Sequence, residues 1–171
     1  MSAPRFTASN VAAQAVSVAL TTTYTGLCLS VAPGRNKRLK MLAAQYALSV
    51  APAAIASLHL IAGGSSAGIV THTTDLAAPG IQSADIGQDS GVASSSVGSV
   101  ANADSAATVV NPYYLMPLGS GFTAAALYAT TPILVDLEKY GIYVKPGGWI
   151  AWGALTAVTG FGGFIWEEVD L

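Results

Sequence analysis

The sequence predicts an all-β protein, a β-sandwich carrying one long insertion rich in Gly, Ser and Ala. Three observations lead there. Apolar residues alternate with period two in short runs at both ends of the chain, Pro/Gly turns separate those runs about every ten residues, and residues 63–110 lose the pattern. The 171 residues fit a single domain, 1–171, with 63–110 as a loop-rich insertion.

The first run begins where Val16 and Val18 alternate with Ser17 and Ala19, and continues with Leu27, Leu29 and Val31 set against Gly26, Cys28 and Ser30. Ala32-Pro33-Gly34-Arg35-Asn36 is a turn signal, because Pro presets its own φ and Gly and Asn tolerate positive values. From Arg38 to Val50 the even positions Leu42, Ala44, Tyr46, Leu48 and Val50 form one apolar face, which predicts a strand with the even residues inward. Pro52 and the absence of charged i,i+4 pairs argue against a helix there. Ser57 to Ile61 is a short strand ended by Gly63-Gly64.

The composition then changes. No Phe, Trp or Tyr occurs between Tyr46 and Tyr113, and no cation between Lys40 and Lys139, although Asp75, Asp85, Asp89 and Asp104 fall inside. A segment of small residues with scattered single aliphatics cannot bury enough apolar surface to form its own core. The expectation is an excursion that lies across a neighbouring surface.

The sheet pattern returns at Ile133, Val135 and Leu137, which alternate with Leu134, Asp136 and Glu138. Lys139-Tyr140-Gly141 breaks the run, Ile142 and Val144 alternate with Tyr143 and Lys145, and Pro146-Gly147-Gly148 is a turn. Trp149 to Val158 is apolar on both faces, so it predicts a central strand. In the last run Phe164, Trp166 and Glu168 oppose Ile165, Glu167 and Val169.

Charged residues make up 9% of the chain and apolar residues 52%, against roughly 25% charged in ordinary soluble domains. So little charge implies a surface hidden against other subunits or in lipid. Met41 to about Asp75 and Pro146 to Trp166 are free of charge until their ends, but Gln45, Pro52, His59 and repeated glycines interrupt them, so no membrane span is expected. Met1 to Asn10 lacks the apolar block of a secretory signal. The net charge of −2 gives no general field for nucleic acid.

No motif carries catalysis. Gly119-Ser120-Gly121-Phe122-Thr123-Ala124 imitates a dinucleotide fingerprint, but Pro117 interrupts the preceding run and Pro132 stops the following one, which leaves a glycine turn between strands. His59 and His72 lack zinc-ligand spacing, Asp85 and Asp89 lack the ligand density of a calcium loop, and no Gly-x-Ser-x-Gly elbow occurs. Glu167 and Glu168, as strand neighbours, point to opposite faces and cannot share a substrate. Cys28 has no partner for a disulfide and reads as a small buried residue. No enzyme activity, metal or cofactor is expected.

Residues 132–169, with Pro-Ile-Leu-Val-Asp-Leu-Glu, Gly-Ile-Tyr-Val-Lys-Pro-Gly-Gly-Trp-Ile-Ala-Trp and Gly-Phe-Gly-Gly-Phe-Ile-Trp-Glu-Glu, resemble the closing strands of structural proteins of tailed bacteriophages. Their outline is also similar to trimeric jelly rolls of the tumour-necrosis-factor and C1q type. Arg38 to Gly64 resembles the front half of the same phage proteins, and residues 65–110 match neither.

The resemblance implies a jelly-roll capsid decoration, or cement, protein. Such a protein is non-catalytic, forms a homotrimer and clamps major capsid subunits on the outer surface of the virion. It also implies partners: sister subunits and the major capsid protein, without nucleic acid or membrane. Trp149, Trp152, Phe161, Phe164 and Trp166 are the candidates for subunit packing, since aromatic residues concentrate interface energy. Arg35, Lys37, Arg38 and Lys40 are the candidates for capsid contact. The alternative is a receptor-binding head or fibre tip that binds host glycan on an aromatic platform of Trp149, Trp152 or Trp166.

Overall fold

The computed structural model describes residues 4–10, 12–16, 20–50, 52, 56–75, 81–84, 101–122 and 132–171. Seven strands lie in the first half: β1 (Arg5–Ser9), β2 (Gln14–Val16), β3 (Thr23–Val31), β4 (Lys37–Leu48), β5 (Ala56–Gly64), β6 (Thr71–Asp75) and β7 (Ile81–Ser83). Six follow: β8 (Ala101–Thr108), β9 (Tyr113–Phe122), β10 (Ile133–Asp136), β11 (Tyr143–Val144), β12 (Gly148–Ala154) and β13 (Val158–Asp170). A 3-10 turn, Glu138–Tyr140, is the one helical element among the described residues.

All pairing is antiparallel and forms two sheets. One runs β10-β4-β13-β1-β7, with β11 also on β4 and β2 on β13; the other runs β6-β8-β3-β12-β5-β9. Eight strands form the frame: β1, β3, β4, β5, β9, β10, β12 and β13. The first pairs with the eighth, the second with the seventh, the third with the sixth and the fourth with the fifth. The chain is thus one long hairpin rolled into two facing sheets, the jelly-roll form of the β-sandwich that the sequence analysis expects.

Local chemistry explains the turns of the roll. Pro33-Gly34, with Gly34 at φ +76°, carries β3 of one sheet into β4 of the other. Lys145 to Gly148 closes with the Gly148 amide donating to the Lys145 carbonyl, and Gly147 at φ +83° after Pro146 meets the demand of a type II turn. Gly141, at φ +61°, ends the 3-10 turn.

Strand parity follows the sequence pattern in β13, where Phe164, Trp166 and Glu168 are buried. In β4 it changes midway. Ala44, Tyr46 and Leu48 face inward, but so do Leu39 and Met41, because Ile165 pairs with Ala43 and the next residue, Trp166, pairs with Met41. Leu42 is the extra residue of a bulge, which reverses the inward face. Val50 is exposed beyond the strand end rather than turned inward. Val158 opens β13 in the opposite sheet rather than ending the strand that starts near Trp149.

The main core lies between the sheets, around Leu29, Met41, Leu60, Ile150, Trp152, Phe164 and Trp166. A second cluster covers the other face of β3 and β12, where Tyr24, Cys28, Ile61, Trp149 and Ala151 meet Ala107 and Val109. That is why both faces of β12 are buried. The covering chain is the returning end of the insertion. The Trp149 indole donates to the Val110 carbonyl at 2.9 Å, and the Asn111 amide donates to the Gly64 carbonyl at 3.1 Å.

The insertion therefore differs from a plain loop. Its described parts include three strands of this same subunit: β6 and β8 extend one sheet beyond β3, and β7 pairs with β1 on the other. Asp85, Asp89 and the remainder of 85–100 lie outside the described residues, as do Ser17, Val18 and Ala19.

Candidate functional site

The outward face of the seven-stranded sheet is the most distinctive surface. Past the Leu42 bulge, β4 turns Ala43, Gln45 and Ala47 outward, and the register sets Phe161, Gly163 and Ile165 of β13 beside them. Leu134 of β10 pairs with Gln45, and Thr7 and Ser9 of β1 flank β13. None of these residues is charged. Leu134 is 72% exposed and Phe161 42%, so two large apolar side chains stand in water on one sheet face. Gly163 keeps the face flat there, and Gln45 lies across it: a Cβ on Gly163 would sit 3.0 Å from the Gln45 side chain.

One end of the same sheet is highly charged. The Arg5 guanidinium donates to Glu167 Oε1 at 2.8 Å, and Lys40 Nζ lies 2.6 Å from Glu138 Oε1 and 3.7 Å from Glu167 Oε2. The hydrogen bond to Glu138 raises the Lys40 pKa, and the same bond lowers that of Glu138. Glu168 is turned inward and buried while Glu167 meets the cations, as the parity of neighbouring strand residues requires.

The five aromatic residues expected at a subunit interface divide unevenly. Trp149, Trp152, Phe164 and Trp166 are at most 1% exposed within the single chain. Trp152 packs against Tyr46 and Phe164 with ring centroids 5.3 and 6.0 Å apart, and Trp149 packs against Tyr24 at 5.5 Å. These four are core side chains and offer almost nothing to a neighbouring copy or a glycan platform. Phe161 alone points outward. Leu134, which the sequence reading passed over, is its companion; the signal was an outward Leu in the Ile133–Asp136 alternation.

The four basic residues expected at a capsid are also not equivalent. Arg35 is exposed on the Pro33-Gly34 turn and Lys37 is half-buried at the start of β4. The Arg38 guanidinium carbon sits 4.4 Å above the Tyr143 ring, a cation–π contact, and Lys40 is held by the two glutamates.

No protein-family model matches the chain, and no curated protein or solved structure shows significant similarity to it.

Of the remaining sequence features, Gly119-Ser120-Gly121-Phe122 falls within β9 rather than at a turn, opposite β5 at irregular register positions; Thr123 and Ala124 lie outside the described residues. Cys28 is fully buried in β3, and burial pushes its thiol pKa up to about 12. Ser57 Oγ and His59 Nε2 are 3.1 Å apart, and the Tyr114 ring lies 5.2 Å from that of His59. Burial lowers the His59 pKa. Among the described residues no carboxylate is bonded to that ring to complete a nucleophile–base–acid relay. No group of metal-binding side chains, and no helix long and apolar enough to cross a membrane, occurs among the described residues.

Proposed function

We propose that this protein is a non-catalytic structural component of a tailed-phage virion, which decorates the outer surface of the capsid as a homotrimer and braces neighbouring major capsid subunits. The observation that carries the reading is the uncharged stretch of the seven-stranded sheet's outward face around Gln45 and Gly163, bordered by Asp136 and the Arg5–Glu167–Lys40 cluster, with Leu134 and Phe161 exposed on it. Fully burying one such side chain from water stabilises by roughly 1.5–3 kcal/mol, of which Leu134, 72% exposed, gains the larger share and Phe161, 42% exposed, the smaller when a second copy covers them. The low charge of the whole chain, 9%, and the likeness of residues 38–64 and 132–169 to phage structural proteins support the same reading.

In this arrangement the sheet faces meet around a closed axis, and closure also covers sheet edges. Of the four basic residues around the start of β4, the exposed Arg35 and the half-buried Lys37 are the two outside the Lys40 ion pairs and the Arg38–Tyr143 contact, and these two face the acidic shell. Antibody labelling of intact particles in the electron microscope tests the assignment. Label over the outside of heads is expected. Label confined to tail tips would replace decoration with receptor binding, and unlabelled particles would overturn a virion role.

A further inference from the structure

All seven cations of the chain gather at one end of the seven-stranded sheet: Arg5 on β1, Arg35, Lys37, Arg38 and Lys40 around the start of β4, and Lys139 and Lys145 flanking β11. Five carboxylates share that end, Asp136, Glu138, Glu167, Glu168 and Asp170, so a local positive surplus exists although the chain as a whole is negative. Two of the cations carry exposed tyrosine rings, Arg38 over Tyr143 at 4.4 Å and Lys139 over Tyr140 at 4.8 Å.

A cleft of about 200 Å³ opens beside them, between edge strand β9 of one sheet and edge strand β11 of the other. Its floor is apolar, with Leu115, Ile142 and Ile150. Its rim holds Tyr113, 51% exposed, and Tyr143, 39% exposed. Lys145 stands exposed on the same rim and has no ion-pair partner among the described residues.

Pockets for drug-sized ligands run to roughly 300–1,000 Å³, so this cleft takes a single ring. An apolar floor and two tyrosines suit a ring that presents C–H groups, and an unpaired ammonium beside them suits one carboxylate on that ring. Nucleic acid fits less well, because binding it requires a basic groove that tracks a phosphate chain over several units. We propose that the β9–β11 cleft binds a carboxylated sugar ring of an acidic glycan, with Tyr113 and Tyr143 against the ring and Lys145 at the carboxylate. Every residue lining the cleft belongs to a single chain.

Calorimetric titration of the full chain tests it with two probes, a glucuronic acid/N-acetylglucosamine tetrasaccharide and sialyllactose, which separate uronic from sialic acids. At least one is expected to bind at millimolar affinity or tighter, and its carboxyl-reduced form to bind at least about tenfold more weakly. Tyr113→Ala and Lys145→Gln are each expected to weaken binding by about fivefold or more. Both side chains are exposed, and circular dichroism checks that each variant folds. Failure of both probes, equal binding of the reduced forms, or unchanged affinity in the two variants would overturn the proposal. So would equally tight binding of a single-stranded oligonucleotide, which would make the surface a general polyanion contact.

Discussion

Gly63→Ala is expected to loosen the strap that the insertion lays over the second core. A methyl group on Gly63 would lie 2.5 Å from the Asn111 carbonyl oxygen, 2.6 Å from that of Val110 and 2.8 Å from Trp149 Cζ2. Two of those atoms are backbone, so no side-chain rotation relieves the clash; the strap has to move away. Overpacking of this kind costs about 1–3 kcal/mol. Moving Val110 also breaks the 2.9 Å bond from the Trp149 indole, and a buried donor left unpaired costs about 1–3 kcal/mol more. A net loss of roughly 2–6 kcal/mol corresponds to a melting point lower by about 4–24 °C in a chain of this size. Thermal unfolding followed by circular dichroism measures it, and tryptophan emission should shift to the red as Trp149 gains water. A melting point within about 1 °C of the parent would refute the strap, since the neighbouring backbone would then have room that the geometry denies.

Two further outcomes follow from buried titratable groups. Burial lowers the His59 pKa from its ordinary 6.5, so on acidification the unfolded chain takes up that proton first. The His59 contribution to stability is therefore full above the unfolded value and is lost as pH falls through 6.5 toward the lower folded value. His59→Gln should flatten the melting-point profile between about pH 7.5 and pH 5.5, and an unchanged slope would contradict it. Cys28, with its thiol pushed up to about 12, should resist a disulfide reagent at about pH 8 in the native protein and react as one equivalent after denaturation; rapid native labelling would contradict its burial.

Much of the frame is legible from residue order, because strands buried by alternation announce themselves. β13 keeps one parity from Val158 to Glu168, and Pro33-Gly34 and Pro146-Gly147 mark turns that only certain residues make. The reversal within β4 is not legible there, since the bulge at Leu42 arises from the register imposed by β13. β6 and β8 are hidden for another reason. Their Thr, Ala and Asp residues show no apolar period, and they complete a sheet through backbone pairing to β3 and to each other. The tryptophans show a limit of composition: a large aromatic residue looks alike whether its own subunit or a neighbour will bury it. Two sheets closing over Trp152 and Trp166 decide that, and they leave Leu134 and Phe161 for the outside.

The claim that this exposed face is a contact between copies is tested most directly by the mass of the purified protein. Light scattering coupled to size exclusion at about 10 μM should give three chain masses, each of 17.2 kDa. A Leu134→Asp/Phe161→Asp variant, altered only at exposed positions, should elute folded at one. A parent protein that runs as a single 17.2 kDa chain with native circular dichroism would contradict the account.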